Sequence, residues 1–164
     1  MTPGSRSVVD SWKQAGRFFL WRFTENTRNF PGWHFMVDSA ASASIAALLR
    51  SMAQRETVCS RTIVVSLPTA EVLRIPNNRN SQCVAPERVR LELDLLDGNA
   101  WALVEDGAVV HWRLGTQNLR DVADVLADPD KYFDSNVGLE PTLWSWGVLA
   151  QSPPNKSLGR KRGR

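Results

Sequence analysis

Between residues 86 and 114 the chain alternates apolar and polar side chains with the period of a β-strand. Val89, Leu91, Leu93 and Leu95 alternate with Arg88, Arg90, Glu92 and Asp94, the pattern of a strand with one buried face. Two turn signals, Asp97-Gly98-Asn99 and Asp106-Gly107, interrupt the run. Asp-Gly favours a type I′ hairpin turn, whose central residues both need positive φ. With Asp106 and Gly107 as the turn, Leu103 faces Val110 and Trp101 faces Trp112. With Asp97-Gly98-Asn99 as a three-residue turn, Leu95 faces Trp101 and Leu93 faces Leu103. This predicts a three-strand meander with Leu91, Leu93, Leu95, Trp101, Leu103, Val110 and Trp112 on its buried face. A slip of one residue would turn the whole set outward.

The rest of the chain reads in the same terms. Residues 1–7 read as a flexible tail, and 11–14 as a short helix ended by Gly16. Residues 17–23 and 33–37 read as strands, the first aromatic and partly covered on both faces, the second set off by Pro31-Gly32. Asp38 or Ser39 caps a helix with Ala41, Ile45, Leu48, Leu49 and Met52 as its apolar stripe. Residues 62–67 and 72–75 predict strands stopped by Pro68 and Pro76, and 77–86 a long polar loop. Gly115 ends the meander, and Thr116 caps a second helix with the stripe Leu119, Val122, Ala123 and Leu126, stopped by Asp128-Pro129. A loop over 131–141, with Tyr132 and Phe133 turned inward, leads to a last strand over 142–149. The order predicts an α+β fold: a single domain over 8–150, an antiparallel-dominated sheet of about six to eight strands, and two helices packed on it.

Composition changes this picture little, and charge changes it more. At 43% hydrophobic and 23% charged, the 164 residues are ordinary globular material, enough to bury a core without a disulfide or metal staple. Cys59 and Cys83 lack metal-ligand spacing. A bridge between them is allowed but not implied, and two cysteines in such a chain point to a reducing compartment. No apolar run is long enough to span a membrane, and Arg22 interrupts Phe18-Phe19-Leu20-Trp21 before it could form a signal core. By elimination the expected location is cytoplasmic, with no membrane partner.

Residues 151–164 hold five basic side chains and no acid; 1–30 hold five basic and two acidic; 31–150 hold ten basic and fifteen acidic. An acidic body with basic ends argues against a nucleic-acid-binding face on the domain itself. The composition of 151–164 predicts a disordered tail. Its Arg160, Lys161, Arg162 and Arg164 are candidate nucleic-acid contacts, weighed equally against an inert solubilising end.

His34 and His111 are the only histidines, each in a predicted strand beside a tryptophan. Alternation sets His111 on the face opposite Trp112, with Val104, Val109 and Arg113. Either could act as a general base. Neither is tied by spacing to a nucleophile or a metal-ligand partner, so a surface or half-buried strand histidine is the simpler account. Glu92, Asp94, Asp97, Glu105 and Asp106 cluster around the meander. A carboxylate pair there could serve glycoside chemistry, but interleaving with Arg88 and Arg90 fits ion pairs on a solvated face, and Asp97 and Asp106 fit turn chemistry.

Of seven tryptophans, Trp144 and Trp146 share one strand face, as core or as an aromatic contact patch. Arg17, Arg22 and Arg28 among Phe18, Phe19 and Phe23 could hold a nucleic-acid strand by stacking. Arginines snorkelling from a structural strand are the simpler reading. Neither a glycine-rich dinucleotide loop nor a P-loop occurs, and no cofactor is expected.

The pattern leaves no residue set over for catalysis. The leading expectation is a small, non-catalytic binding protein of the immunity, adaptor or regulatory type. Its contact with another protein would run through the loop 77–85 or the acidic face of the meander. The alternatives are a nucleic-acid-associated protein using its basic termini, and an enzyme with a site near His34 or His111.

Overall fold

Alternation along the strands builds two sheets rather than one. The computed structural model describes residues 7–25, 31–74, 82–128, 135–137 and 142–148. Strands β1 (Phe18–Phe23), β2 (Trp33–Val37), β4 (Cys83–Val84), β8 (Ser135–Val137) and β9 (Leu143–Val148) form a five-stranded sheet in the order β4-β1-β2-β9-β8. Strands β3 (Ser60–Val64), β5 (Arg88–Asp94), β6 (Trp101–Asp106) and β7 (Val109–Gly115) form a four-stranded sheet in the order β3-β5-β7-β6. The α+β class holds. The single, antiparallel-dominated sheet does not: β2 runs parallel to β9 and β5 parallel to β7, so both sheets are mixed. One parallel bridge, Phe18 to Val65, joins them.

The helices are α1 (Val8–Ser11), α2 (Ser39–Met52), α3 (Ala70–Arg74) and α4 (Thr116–Ala127). Asp38 caps α2, its Oδ1 accepting from the Ala41 amide at 2.9 Å. The whole expected stripe of α2 is buried, as is that of α4. The small residues Ala41, Ser42 and Ala46 on α2 and Ala123 on α4 are buried too, and the Ser42 hydroxyl donates to the Leu126 carbonyl. The main core is enclosed by these two helices and by one face of each sheet.

Several local expectations need correction: the strand expected at 62–67 is Ser60–Val64, and the expected loops 77–86 and 131–141 contain the short strands β4 and β8. The first helix is Val8–Ser11 rather than 11–14, because Ser7 serves as its cap. Residues 72–75 do not form a strand. Thr69 caps α3 there, its Oγ1 accepting from Val72 at 3.3 Å and its carbonyl from Leu73 at 3.0 Å. A two-residue apolar run cannot separate strand from helix, and this single turn needs to bury only Val72. Gly115, not Thr116, is the cap of α4, and the Gly98 carbonyl accepts from the Gln117 amide at 2.9 Å.

The meander is the largest correction. Strands β5 and β6 do not pair, because β7 lies between them. Leu103 faces Trp112 and Trp101 faces Leu114, since the hairpin turns at Gly107-Ala108, with Gly107 at φ 58°. This register is two residues away from the expected one, so it keeps every side chain on its expected face. Leu91, Leu93, Leu103, Val110 and Trp112 are buried. Trp101 packs edge-on against Trp112 at 5.6 Å without opposing it. Leu95 lies past the strand end and is 40% exposed.

The connection 95–100 must cross the end of β7 to reach β6, and Gly115 permits it. A methyl group at Gly115 would overlap the Asp97 carbonyl oxygen and Gly98. The Gly115 amide donates to the Ala100 carbonyl at 2.9 Å, and Asn118 donates to the carbonyls of Asn99 and Ala100. Asp94 Oδ1 accepts from the Leu96 and Asp97 amides, holding the start of the crossing.

No helix among the described residues is long and apolar enough to cross a membrane. Most of the N-terminal tail, residues 77–81 of the loop 77–86, Tyr132, Phe133 and the tail 151–164 lie outside the described residues.

Candidate functional site

Each sheet turns one face to the main core and one away from it, and both histidines stand on the outward faces. In the five-stranded sheet His34 lies between Trp21 and Trp144 in register. Phe19, Trp21, Phe23, Met36, Val72 and Trp146 bury that face, so His34 is 0% exposed. Trp21 stacks on the imidazole at 5.6 Å and Trp146 at 5.9 Å, with Phe23 edge-on at 5.0 Å. Trp146 Nε1 donates to His34 Nδ1 at 2.9 Å. An indole N–H can only donate, so Nδ1 accepts and the imidazole is neutral with its proton on Nε2. His34 is more enclosed than a surface or half-buried strand histidine.

The aromatic N-terminal stretch is closed in the same way. Phe18, Phe19, Trp21 and Phe23 are all buried, so their rings are not available to stack on bases. Arg22 makes two hydrogen bonds to Glu105, at 3.0 and 3.2 Å, and lies 5.8 Å from the Trp33 ring centre.

The outward face of the four-stranded sheet is different, since no layer covers it among the described residues. The strand registers set out a grid. One row reads Ser60, Glu92, Arg113, Ala102, and the next reads Thr62, Arg90, His111, Val104. Glu92 is the hub. Its Oε1 lies 3.0 Å from His111 Nδ1 and 3.3 Å from Arg90 Nε, and its Oε2 lies 3.6 Å from Arg113. Burial opposes ionisation of Glu92. The His111 hydrogen bond and the charges of His111, Arg113 and Arg90 outweigh it and hold the carboxyl below its usual range. Arg90 also donates to Ser60 Oγ at 2.8 Å, and His111 Nε2 lies 3.8 Å from Asp106.

A groove of about 650 Å³ runs along one end of this face. Cys59, Ser60, Arg90, Glu92, Asp94 and Arg113 line it on the sheet side, and Val58, Leu95 and Leu96 form an apolar rim. Leu96 is 100% and Val58 76% exposed.

Glu92 and His111 have the geometry of an orienting carboxylate and a base, but among the described residues no nucleophile is set up beside them. Ser60 Oγ accepts from Arg90. Burial pushes the Cys59 thiol up, with Arg55 acting against the shift and Asp10 with it. Burial raises the Cys83 thiol as well, and both cysteines are free. Among the described residues no three His, Cys, Asp or Glu side chains gather as a metal site.

The structure therefore brings His111 and Glu92 together and keeps His34 apart. Trp144 and Trp146 stack on each other at 6.3 Å against the buried cluster around His34. The face expected to be acidic is balanced, with Arg88, Arg90 and Arg113 against Glu92 and Asp106, while Asp94 is taken up by its turn. Arg160, Lys161, Arg162 and Arg164 lie outside the described residues. The Glu92–Arg113 pairing and the apolar rim were not legible from spacing, because both depend on β7 lying beside β5. No protein-family model matches the chain, and no curated protein or solved structure gives a significant match.

Proposed function

We propose that this protein acts by binding another protein through the uncovered face of the four-stranded sheet, as an immunity, adaptor or regulatory protein does. The observation that carries the reading is the exposed rim of Val58, Leu95 and Leu96 beside the ion-paired cluster around Glu92. Contiguous apolar surface edged by polar groups marks interaction sites more often than bare solvent-facing surface. A cytoplasmic location belongs to the same proposal and is supported by the two free cysteines. The exposed large hydrophobics among the described residues are valines and leucines, with no aromatic ring for base stacking, so nothing there favours the nucleic-acid alternative.

Photo-crosslinking in cells of the source organism tests this. A photoreactive residue at Leu96 or Val104 should capture the same protein, and one at Arg50, on the exposed side of α2, should not. Capture of one identical set from all three positions would remove the proposal.

A further inference from the structure

We infer that β6 pairs with β6 of a second copy of this chain, antiparallel about a two-fold axis at Leu103, so that two four-stranded sheets join edge to edge. The inference goes beyond the protein-binding reading, since it uses the edge of the sheet rather than its open face. The order β3-β5-β7-β6 leaves β3 and β6 at the two edges. The β3 edge is occupied in part. Gln14 Oε1 accepts from the Val64 amide at 2.8 Å, Gln14 Nε2 donates to the Val64 carbonyl at 3.0 Å, and Arg61 donates to the carbonyls of Val9 and Asp10. The β6 edge differs, and the ladder shows how. The Gly115 amide donates to the Ala100 carbonyl, so by alternation Ala102, Val104 and Asp106 exchange their backbone bonds with β7. Leu103 and Glu105 turn their N–H and C=O groups out of the sheet, and none of these groups finds a partner among the described residues. An edge in that state is a template for another strand. Lysine or proline commonly guards such an edge, and β6 contains neither.

The side chains of β6 fit a second β6. Parallel pairing would set Glu105 and Asp106 beside their own counterparts, and like charges directly opposite each other are destabilising. Antiparallel pairing about Leu103 removes both clashes. Glu105 then lies opposite Trp101 of the second copy, Asp106 opposite Ala100, and Ala102 opposite Val104, while Leu103 meets its own counterpart on the axis. Each of these contacts except the central one is made twice, as in any isologous interface. Val104, which is 57% exposed, gains an apolar cross-strand neighbour. Joining in the plane of the sheet leaves the open face uncovered on both copies, so a protein partner can still bind there.

The test uses the full chain, isotope-labelled, at concentrations from about 10 μM to about 1 mM, because so small an interface associates weakly. The sedimentation mass should rise toward twice that of the monomer, and solvent exchange of the Leu103 and Glu105 amides should slow severalfold with concentration. A mixture of differently labelled copies should show contacts between Ala102 of one copy and Val104 of the other. Glu105→Pro removes an outward N–H without touching a bond to β7, and Val104→Lys sets a charge in the edge. Each should weaken self-association on the order of tenfold, with the remaining amide shifts reporting that the variant is folded. Glu105→Gln, which keeps the N–H, should not weaken it. A monomer at the highest concentration, contacts between copies at another surface, or undiminished association of both weakening variants would overturn the inference. Protection of Leu103 and Glu105 that appears only when a protein captured at Leu96 is added would assign the edge to that partner and overturn it too. A photoreactive residue at Val104 should give a self-adduct beside any partner, whereas capture at Leu96 tests the protein-binding reading alone.

Discussion

His34 and His111 share an adjacent tryptophan in a strand and end in opposite environments. Each is a strand residue beside a tryptophan that points into the main core, Trp33 for one and Trp112 for the other. Each faces away from that core. Over His34 the chain lays Trp21, Trp146 and Val72, and the imidazole becomes a neutral acceptor in a closed aromatic cluster. Over His111 nothing lies among the described residues, and the imidazole joins Glu92 and two arginines at the surface. A period of two says which way a strand side chain points. It does not say what will cover it, and that second fact decides between a structural residue and a contact residue.

The inward half of the comparison carries the largest effect. Trp112→Ala should cost about 3–5 kcal/mol in a denaturant melt, the range for truncating a large core aromatic. A loss near 1 kcal/mol would mean that the four-stranded sheet does not seal the core where Trp112 sits. On the closed outward face, Trp146→Phe keeps a ring but removes the donor to His34 Nδ1. A buried acceptor that loses its partner costs roughly 1–3 kcal/mol, so a melt indistinguishable from the parent protein would show the cluster to be wetter than described. His111→Ala, on the open face, should cost only about 0–1 kcal/mol, as exposed ion pairs do. A cost equal to that of Trp146→Phe would put a missing layer over His111.

The smallest effect is set by pH. Because the folded protein holds the Glu92 carboxyl below its usual value, the ionised carboxylate adds stability above the ordinary carboxylate range. That increment is lost as pH falls through the lowered value. Glu92→Gln should therefore be slightly less stable than the parent at pH 7, by about 0.2–1 kcal/mol, and the gap should close in acid. A gap that stays constant or widens as pH falls through the carboxylate range would contradict the arrangement around Glu92.

Much of the fold was legible because it rests on local periodicity. The α2 stripe, the extent of β2 and the inward face of β5, β6 and β7 follow from 3.6-residue and two-residue repeats that each segment carries itself. The order β3-β5-β7-β6 was not legible. A strand-turn-strand pattern is the same whether the third strand adds at the edge or inserts between the first two, and here Gly115 and Asn118 accommodate the insertion through contacts with 97–100 that are distant in sequence. The candidate site inherits that difficulty. Glu92 meets Arg113 only because β7 inserted, and Leu95, placed in the core by simple continuation of the strand, became part of the rim when the chain turned away at Asp94.

The central contrast between a sealed and an open outward face can be read directly from imidazole accessibility. The native protein is treated with diethyl pyrocarbonate, and each histidine is followed by peptide mass spectrometry over time. His111 should be carbethoxylated in the folded protein, and His34 should stay unmodified until denaturant unfolds the chain. Labelling of His34 at a rate comparable to His111 under native conditions would contradict the account, because the aromatic cluster would then not exclude solvent and the two faces would not differ as described.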